Sequence, residues 1–528
     1  MIKTDITVSV GYTVDDIKNA LSAALPISRE EISRIEILKK ALKLSDSGAE
    51  YRLTIGAELS CEREEGLLKM KKRVFPYPDF SLRIPKSCLD SRPVIVGAGP
   101  AGLFAALAFA QAGAAPIVME RGLPVELRRK SVDKFLSAGI LDTESNIQFG
   151  EGGAGAFSDG KLKVGAVDKY KRWVLEAFVE AGAPEDIIYT VGAHLGTDRL
   201  PDIVKHIRER IKELGGEFYF SSRLTDILIK DGAVRGVSFE REGRSELLSA
   251  ERVVLASGHS AIDIFELLLK KGVAMQSRGF GMGMRIEHPR EYINELVLGD
   301  GSLAEMIGTA SYHLVTHLKS GRSVYSFCMC PGGEVVPAAS ESCGIVTNGM
   351  SPYSRMKDNS NAALLVSMTP DDFGSESVLA GVYFQRNVEK RAFAVSGGYE
   401  APAITLGDFM NKRKPEGFLD VKPSYKIGTV PVSPQAYMPD AVTDNLMAGI
   451  LDFDEWMGGF AHPSAVLTGP ETRSTSPIRV IRGKNYESLT VKGLYPIGEG
   501  AGYSGGIVSS ATDGLKCAEA ILSMAEKP

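Results

Sequence analysis

Apolar and polar residues alternate with a period of two from Ile6 to Val10, from Ile35 to Leu42 and from Tyr51 to Leu59, which predicts three strands. Asp15 to Leu25 reads as a helix between the first two, and the turn-like Ser45-Asp46-Ser47-Gly48 separates the last two. Residues 1–90 are therefore expected to form a small α+β module. Beyond them the pattern changes. A four-residue apolar run ends at Gly97, an alanine-rich helical stretch follows, and a second short strand runs from Pro116 to Met119. Arg199 to Leu214 is an amphipathic helix with Ile203, Ile207 and Ile211 four residues apart. Glu217 to Phe220 reads as a strand. Leu224 to Leu248 reads as an antiparallel meander turning at Lys230-Asp231-Gly232 and Glu242-Gly243. Arg252 to Ala256 returns as a strand, and one more is expected at Leu494. Between them, residues 276–487 are rich in strand-like segments, glycine and proline. The expected architecture is α/β: a Rossmann-like domain in two parts, 91–275 and 488–528, with a strand-rich α+β cap domain, 276–487, inserted into it.

The junction of the first strand and helix reads Gly97-Ala98-Gly99-Pro100-Ala101-Gly102. Gly97 allows the tight turn, Gly99 lets backbone approach a pyrophosphate, and Gly102 lets the helix pack closely on the strand. The helix N-terminus adds free N–H groups and a positive dipole end. Glu120 stands eighteen residues beyond Gly102, at the tip of the second strand, where a carboxylate accepts hydrogen bonds from an adenosine ribose. Arg121 follows it directly. Strand, turn, helix, strand and acid occur in the order that dinucleotide binding needs.

Composition narrows the remaining classes. The chain has 528 residues, too many for one core, and a net charge of −5. That balance gives no global electrostatic case for nucleic acid or an anionic membrane. The opening residues contain acids and no long apolar run, so neither a signal peptide nor a membrane anchor is expected. Six cysteines without framework spacing point to a reducing, cytoplasmic setting. The run Lys69-Met70-Lys71-Lys72-Arg73 reads as a solvated helix end. Its sharper alternative is a contact for RNA or an acidic partner.

Residues 493–514, GLYPIGEGAGYSGGIVSSATDG, resemble the second FAD fingerprint of two-dinucleotide-binding-domain flavoproteins. In that family an acid after the last strand, usually Asp, meets the ribityl chain; here Gly498 is followed by Glu499. The next helix N-terminus, at Gly505, Gly506 and Ile507, is implied to face the flavin. Residues 147–163, IQFGEGGAGAFSDGKLK, resemble a loop of bacterial uncharacterised FAD-dependent dehydrogenases, with Ala156 where that family has Thr. Further matches are RIEHP (285–289), YSFCMCPGGEV (325–335), LTGPETRSTSPIR (467–479) and GEGAGY (498–503). The resemblance covers most of residues 90–525. It implies non-covalent FAD, a redox role, and a cap carrying a pocket for a small or medium-sized organic substrate, with the electron donor or acceptor and the substrate left open. It places Gly152, Gly153, Gly155 and Lys161 along the phosphate and isoalloxazine side. Leu224 and Gly258, the latter closing its strand at Ala256-Ser257-Gly258, are taken with them.

Catalytic groups are less legible. A flavin dehydrogenase needs a proton carrier, and His288 with Arg285 near the cap boundary, or His462, are the candidates, alongside Arg473. Cys328 and Cys330 would share one face of a regular strand, so both thiols could meet the flavin. No CxxC on a helix N-terminus is present to lower a thiol pKa, and the pair is expected to be structural. Zinc on His313, His317, Cys328 and Cys330 matches no known spacing, and no metal site is expected. Gly279-Phe280-Gly281-Met282-Gly283 reads as a close-packed strand, since no helix and acid follow it. The favoured function is an FAD-dependent oxidoreductase moving a hydride between an organic substrate and FAD. The alternative is a flavoprotein that serves a macromolecule docked through residues 1–90. A closed substrate-sized cavity favours the first, and a wide basic groove reaching Lys69 to Arg73 the second.

Overall fold

The computed structural model describes residues 1–45, 48–70, 73–162, 165, 167–299 and 301–525. Asp46, Ser47, Lys71 and Lys72 therefore lie outside the described residues. The N-terminal module is a four-stranded antiparallel sheet in the order Arg34–Ser45, Gly48–Glu58, Ile2–Ser9, Val74–Pro76. Period-two burial in the strand Ile2–Ser9 puts Ile2, Ile6 and Val8 into the module's own core with Ile17 and Leu21 of the helix Val14–Ala24. Thr13 begins that helix with a reciprocal capping box to Asp16.

The central unit is a five-stranded parallel sheet in the order Leu494–Pro496, Val253–Leu255, Val94–Val96, Ile117–Met119, Glu217–Tyr219. Strands far apart in the chain are neighbours here: the last pairs with Val253–Leu255, and that one with Val94–Val96. The antiparallel meander Ser222–Lys230, Ala233–Arg241, Arg244–Ser249 leads into Val253–Leu255, the fourth of these strands in chain order. The helix Pro100–Gln111 is buried on nearly every side, which explains its alanines. It packs against Gly196–Glu213 and Ile507–Ala525. A Cβ on Gly514 would lie 2.0 Å from the Ala101 carbonyl, so glycine there lets the two helices touch at backbone distance. Their N-termini, from opposite ends of the chain, are thereby brought together.

The cap is a seven-stranded mixed sheet in the order Val315–His317, Ser323–Cys330, Asn359–Met368, Phe280–Pro289, Val466–Glu471, Ala401–Thr405, Thr429–Pro431. The long helices Ala380–Ser396 and Asp440–Trp456 pack with it. The glycines of 279–283 stand in a central strand: a Cβ on Gly283 would meet the Leu364 carbonyl at 1.8 Å. A two-stranded antiparallel ribbon, Met275–Ser277 with Ile478–Val480, carries the chain into and out of the cap. None of the described helices is long and apolar enough to cross a membrane.

One buried cation shapes the loop that follows the first βαβ unit. Arg128, on the helix Val125–Ala138, has no exposed surface. Its guanidinium donates to five carbonyls of the 146–153 loop: Asn146, Ile147, Gly150, Glu151 and Gly153, at 2.6–3.2 Å. Burial pushes its pKa down to about 10, so it remains charged at neutral pH. Glu151 adds a second tie, accepting from the Val125 N–H at 2.8 Å and from Arg208 at 2.6 Å. Replacing Arg128 by Met keeps the length and strands five buried acceptors. Urea unfolding of Arg128→Met is expected to show a loss of at least about 3 kcal/mol. An unchanged midpoint would mean that water or relaxation satisfies the loop without the guanidinium.

Candidate functional site

The main cavity opens where the parallel sheet, the 146–161 loop and the cap meet. The strand Val94–Val96 delivers the chain to Gly97, whose φ of +104 is a left-handed backbone that a side chain would strain. A Cβ there would also lie 2.4 Å from the Ala256 carbonyl. Gly99 is the N-cap of Pro100–Gln111 and offers no side chain, so the first helical N–H groups face the cavity uncapped. Pro100 and Ala101 line it beside them. Beside them the second glycine turn supplies Gly498, Glu499, Gly505, Gly506 and Ile507. That turn is braced from behind: Asp513 accepts from the Gly498 N–H at 2.8 Å and holds Arg482 with both oxygens.

Glu120 and Arg121 lie at the rim, with Leu224 and Gly258 nearby. The Glu120 carboxylate is 5% exposed and accepts from three backbone N–H groups, of Ala98, Gly122 and Gly150, at 2.8–3.0 Å. It thus pins three chain segments together as well as facing the cavity. A substitution that reverses its charge would break these three backbone contacts as well. Arg121 is paired with Glu144 and Asp263 and lies over the Phe149 ring. Gly153, Gly155 and Lys161 bring the glycine-rich loop to the same space.

Two predicted glycines touch protein and not the cavity. A Cβ on Gly102 would sit 1.9 Å from the Gly97 carbonyl, and one on Gly152 2.8 Å from the Ala156 Cβ. Both are needed for packing behind the turn.

The structure does not bring His288 or His462 to the cavity. His288 is 1% exposed, its Nε2 meets the Phe460 carbonyl at 2.8 Å, and its ring stacks on Tyr292. Burial pushes its pKa down to about 4, with the neighbouring His462 adding repulsion. The ring is therefore neutral at physiological pH and remote from the cavity wall. His462 accepts from the Ser464 N–H at 3.2 Å and packs edge-on to Tyr292. Arg285 is also sealed, but it acts on the wall from behind. It makes a two-point ion pair with Glu471 at 2.6 and 2.9 Å, and it donates to Asn361, Asn348 and the Cys328 carbonyl. Glu471, Asn348 and Cys328 do line the cavity.

Arg473, the alternative named with His462, lines the cavity and is held by Glu389 at 2.7 Å and Ser340 at 2.6 Å. Two wall residues escaped the sequence reading. His259 lies 3.5 Å from Glu499 through Nδ1, and its Nε2 has no partner among the described residues. Asp159 is 1% exposed and paired with Arg355. Of these two, only His259 carried a local signal, in the serine-glycine-histidine string after the strand Val253–Leu255.

The cysteine pair departs most from expectation. The strand Ser323–Cys330 slips register against Asn359–Met368 between Phe327 and Cys330, and Cys328 has φ of +42. The bulge breaks the period of two, so Cys328 lines the cavity and Cys330 is buried behind it. The Cys328 thiol is pushed down by its hydrogen bond with Cys330 and by the charges of Arg285 and Lys161; Cys330 is pushed up. The hydrogen bond comes from the neighbouring Cys330 and the cations from residues far away in sequence, where no local motif announces them. Among the described residues, no three of His, Cys, Asp and Glu are grouped to hold a metal.

Two glycine turns at paired helix N-termini, an acid at the tip of the second strand and a cap closing over them define a flavoprotein of the inserted-cap class. The comparisons give the family. Residues 279–474 match the model of the FAD-dependent protein, C-terminal domain-like family. An uncharacterized protein of Clostridium beijerinckii is 42% identical over 531 residues, covering 98% of this chain and 99% of that one. The chain belongs to this family of FAD-dependent proteins, and FAD is its cofactor. Among solved structures, a quinol fumarate reductase of E. coli is 14% identical over 83% of this chain and 70% of its own, with a TM-score of 0.36. A 3-ketosteroid-delta4-(5alpha)-dehydrogenase from Rhodococcus jostii is 14% identical over 84% of this chain and 100% of its own, with a TM-score of 0.34. The flavin-dependent halogenase CmlS is 12% identical over 83% of this chain and 59% of its own, with a TM-score of 0.39. None of these three informs the reaction of this chain.

The buried histidine makes a pH prediction. Its folded pKa, about 4, lies below the ordinary value of 6.5, so the unfolded state binds the proton first. Its contribution is complete above pH 6.5 and is lost as pH falls toward 4, at up to about 1.4 kcal/mol per pH unit. The His288→Gln variant should lose less stability than the parent over that interval, by denaturant unfolding at stepped pH. Parallel pH curves would place His288 in contact with water.

Proposed function

We propose that FAD lies in this cavity and that the protein is an oxidoreductase moving a hydride between FAD and a small or medium-sized organic substrate. One observation carries this reading: both glycine turns, the glycine-rich loop and the polar face of the cap line a single cavity. The residues fit the group. Gly97, Gly99 and the uncapped helix N-terminus would hold the pyrophosphate. Glu120 would accept from the adenosine ribose with its remaining lone pairs, and Glu499 with His259 would meet the ribityl chain. Gly505, Gly506 and Ile507 would back the isoalloxazine, opposite Lys161, Cys328, Asn348 and Glu471.

Bound FAD supplies the two-electron chemistry. The chain supplies binding, orientation and proton handling. Lys161 donates to the Met329 carbonyl and stands at the wall with an amine able to carry a proton. Asn348 is held by Arg285 and offers a fixed amide to a carbonyl or hydroxyl. Arg473 presents a buried positive charge suited to a carboxylate or enolate, partly compensated by Glu389. Among the described residues, none of 1–90 lines the cavity, so nothing favours a macromolecule docked through the N-terminal module.

The cofactor placement is tested by Glu120→Gln. Losing charge-assisted hydrogen bonds costs about 1.5–3 kcal/mol, so FAD should bind about ten- to a hundredfold more weakly in a titration of apoprotein. Equal affinity would remove Glu120 from the FAD site. The reaction class is tested by anaerobic mixing with NADH, NADPH and a panel of alcohols, amines and hydroxy acids. Bleaching of the flavin by one organic class is expected, and a panel without effect would count against the oxidoreductase reading.

A further inference from the structure

We propose that Cys328 and Cys330 form a redox-active dithiol at the flavin site, with Cys328 as its cavity-lining, attacking sulfur. The proposal rests on the placement of FAD in the main cavity. Four features of the chain converge on it. The strand leaves its ladder at this point, and a non-glycine residue at φ +42 re-aims one sulfur into the cavity while leaving the other beneath it. The two residues remain in contact, with the Cys330 thiol donating to the Cys328 carbonyl at 3.3 Å. The bulge is clamped by a fully buried cation: Arg285 donates to the same carbonyl at 2.8 Å and approaches Cys330 Sγ at 3.9 Å. Lys161, from the glycine-rich loop, reaches the intervening Met329 carbonyl.

The surrounding charges set the balance. Arg285 and Lys161 favour a thiolate; Asp159 opposes it, and Glu471 is neutralised by its two-point pair with Arg285. Asp159 is itself paired with Arg355, which weakens its opposition. The hydrogen bond from Cys330 favours charge on Cys328, and burial behind the wall disfavours it on Cys330.

The step balances. Oxidation removes the one proton the pair still carries, on Cys330, and two electrons. A bond forms between the two sulfurs, and the two electrons with that one proton would pass to the oxidised isoalloxazine of bound FAD, leaving it two-electron-reduced and anionic. In the opposite direction the reduced flavin would open the disulfide. Arg285 is then a positioning residue, since it holds the bulge and stabilises the charge without facing the cavity.

The test uses the FAD-loaded protein and its apoprotein, with the exposed Cys61, Cys88 and Cys343 changed to serine. Alkylation by iodoacetamide is followed by peptide mass between pH about 6.5 and 8.5. An ordinary thiol of pKa about 8.5 reacts about fiftyfold faster at the upper end. Cys328 should vary by less than about threefold, and a steep rise would overturn the thiolate. Treatment with diamide should remove two hydrogens from the 328–330 peptide and protect both sulfurs. Both sulfurs remaining alkylatable would overturn the dithiol. In Cys330→Ser the mass loss should vanish while Cys328 still reacts; its persistence would show that Cys328 pairs elsewhere. Anaerobic dithionite titration should consume four electrons per flavin in the parent and two in Cys330→Ser. Two electrons in both would uncouple the pair from the flavin. These sulfur measurements do not depend on FAD affinity, so they fail independently of the Glu120→Gln titration.

Discussion

The geometry of the cavity depends on one charge taken out of water without a carboxylate hydrogen-bonded to it. Arg128 spends its donors on carbonyls of a single loop, and that loop brings Gly150 and Gly153 to the first glycine turn. A buried guanidinium is tolerated only when its donors are satisfied. The loop must therefore fold around it in one way, with its carbonyls turned inward. Turning the carbonyls inward points N–H groups the other way, and the Gly150 N–H meets Glu120. Glu120 in turn holds Ala98 of the glycine turn and Gly122 beyond the second strand. Cation, loop, carboxylate and turn form one chain of constraints in which each member fixes the next.

The glycine turns and the strand order were legible because their demands are local. A left-handed φ at Gly97, a missing Cβ at Gly102 and an acid at the tip of a strand are properties of neighbouring residues, and a sequence displays them directly. The split of the parallel sheet was legible from the same signals at Val94–Val96, Ile117–Met119 and Leu494–Pro496, whose runs end at Gly97, Glu120 and Gly498. Arg128 was not legible. It sits in a helix rich in arginine and lysine, and the helical period does not say which one points inward. The pair Arg285 and Glu471 is separated by 186 positions and shows no pattern until the sheet is assembled. His288 was picked for the chemistry of imidazole, and the sequence holds no sign that a stacked tyrosine and a carbonyl enclose it.

The cysteines show a different limit. Alternation assigns faces only in a regular ladder, and a single extra residue shifts everything after it. The bulge at Cys328 has no sequence mark of its own; the residue there is neither glycine nor asparagine. Its cause is tertiary, since Arg285 and Cys330 both donate to the Cys328 carbonyl and hold it out of the ladder. The effect on chemistry is large. The same three residues in a regular strand would be a buried hydrophobic segment, and here they present a sulfur to the cavity.

The cap face of the cavity is built from residues that cannot easily move. Arg285 is satisfied by Glu471, two asparagines and a carbonyl, and Arg473 by Glu389 and Ser340. Removing Glu471 would leave the Arg285 charge buried without its carboxylate, at a cost of about 3–5 kcal/mol. Such a wall is fixed before any ligand arrives, which favours selection by position of donors over selection by adaptation. The opposite wall belongs to the parallel sheet and its two helix N-termini. A cofactor held between them would contact both parts of the molecule and so bind only when both are folded and apposed. By linkage, its binding energy adds to the stability of that arrangement. The cap also meets the sheet domain through buried apolar side chains, with Val132, Leu136 and Phe157 in one cluster with Val336, Ala338 and Val346, so a bound ligand would add to a hold that the chain already makes.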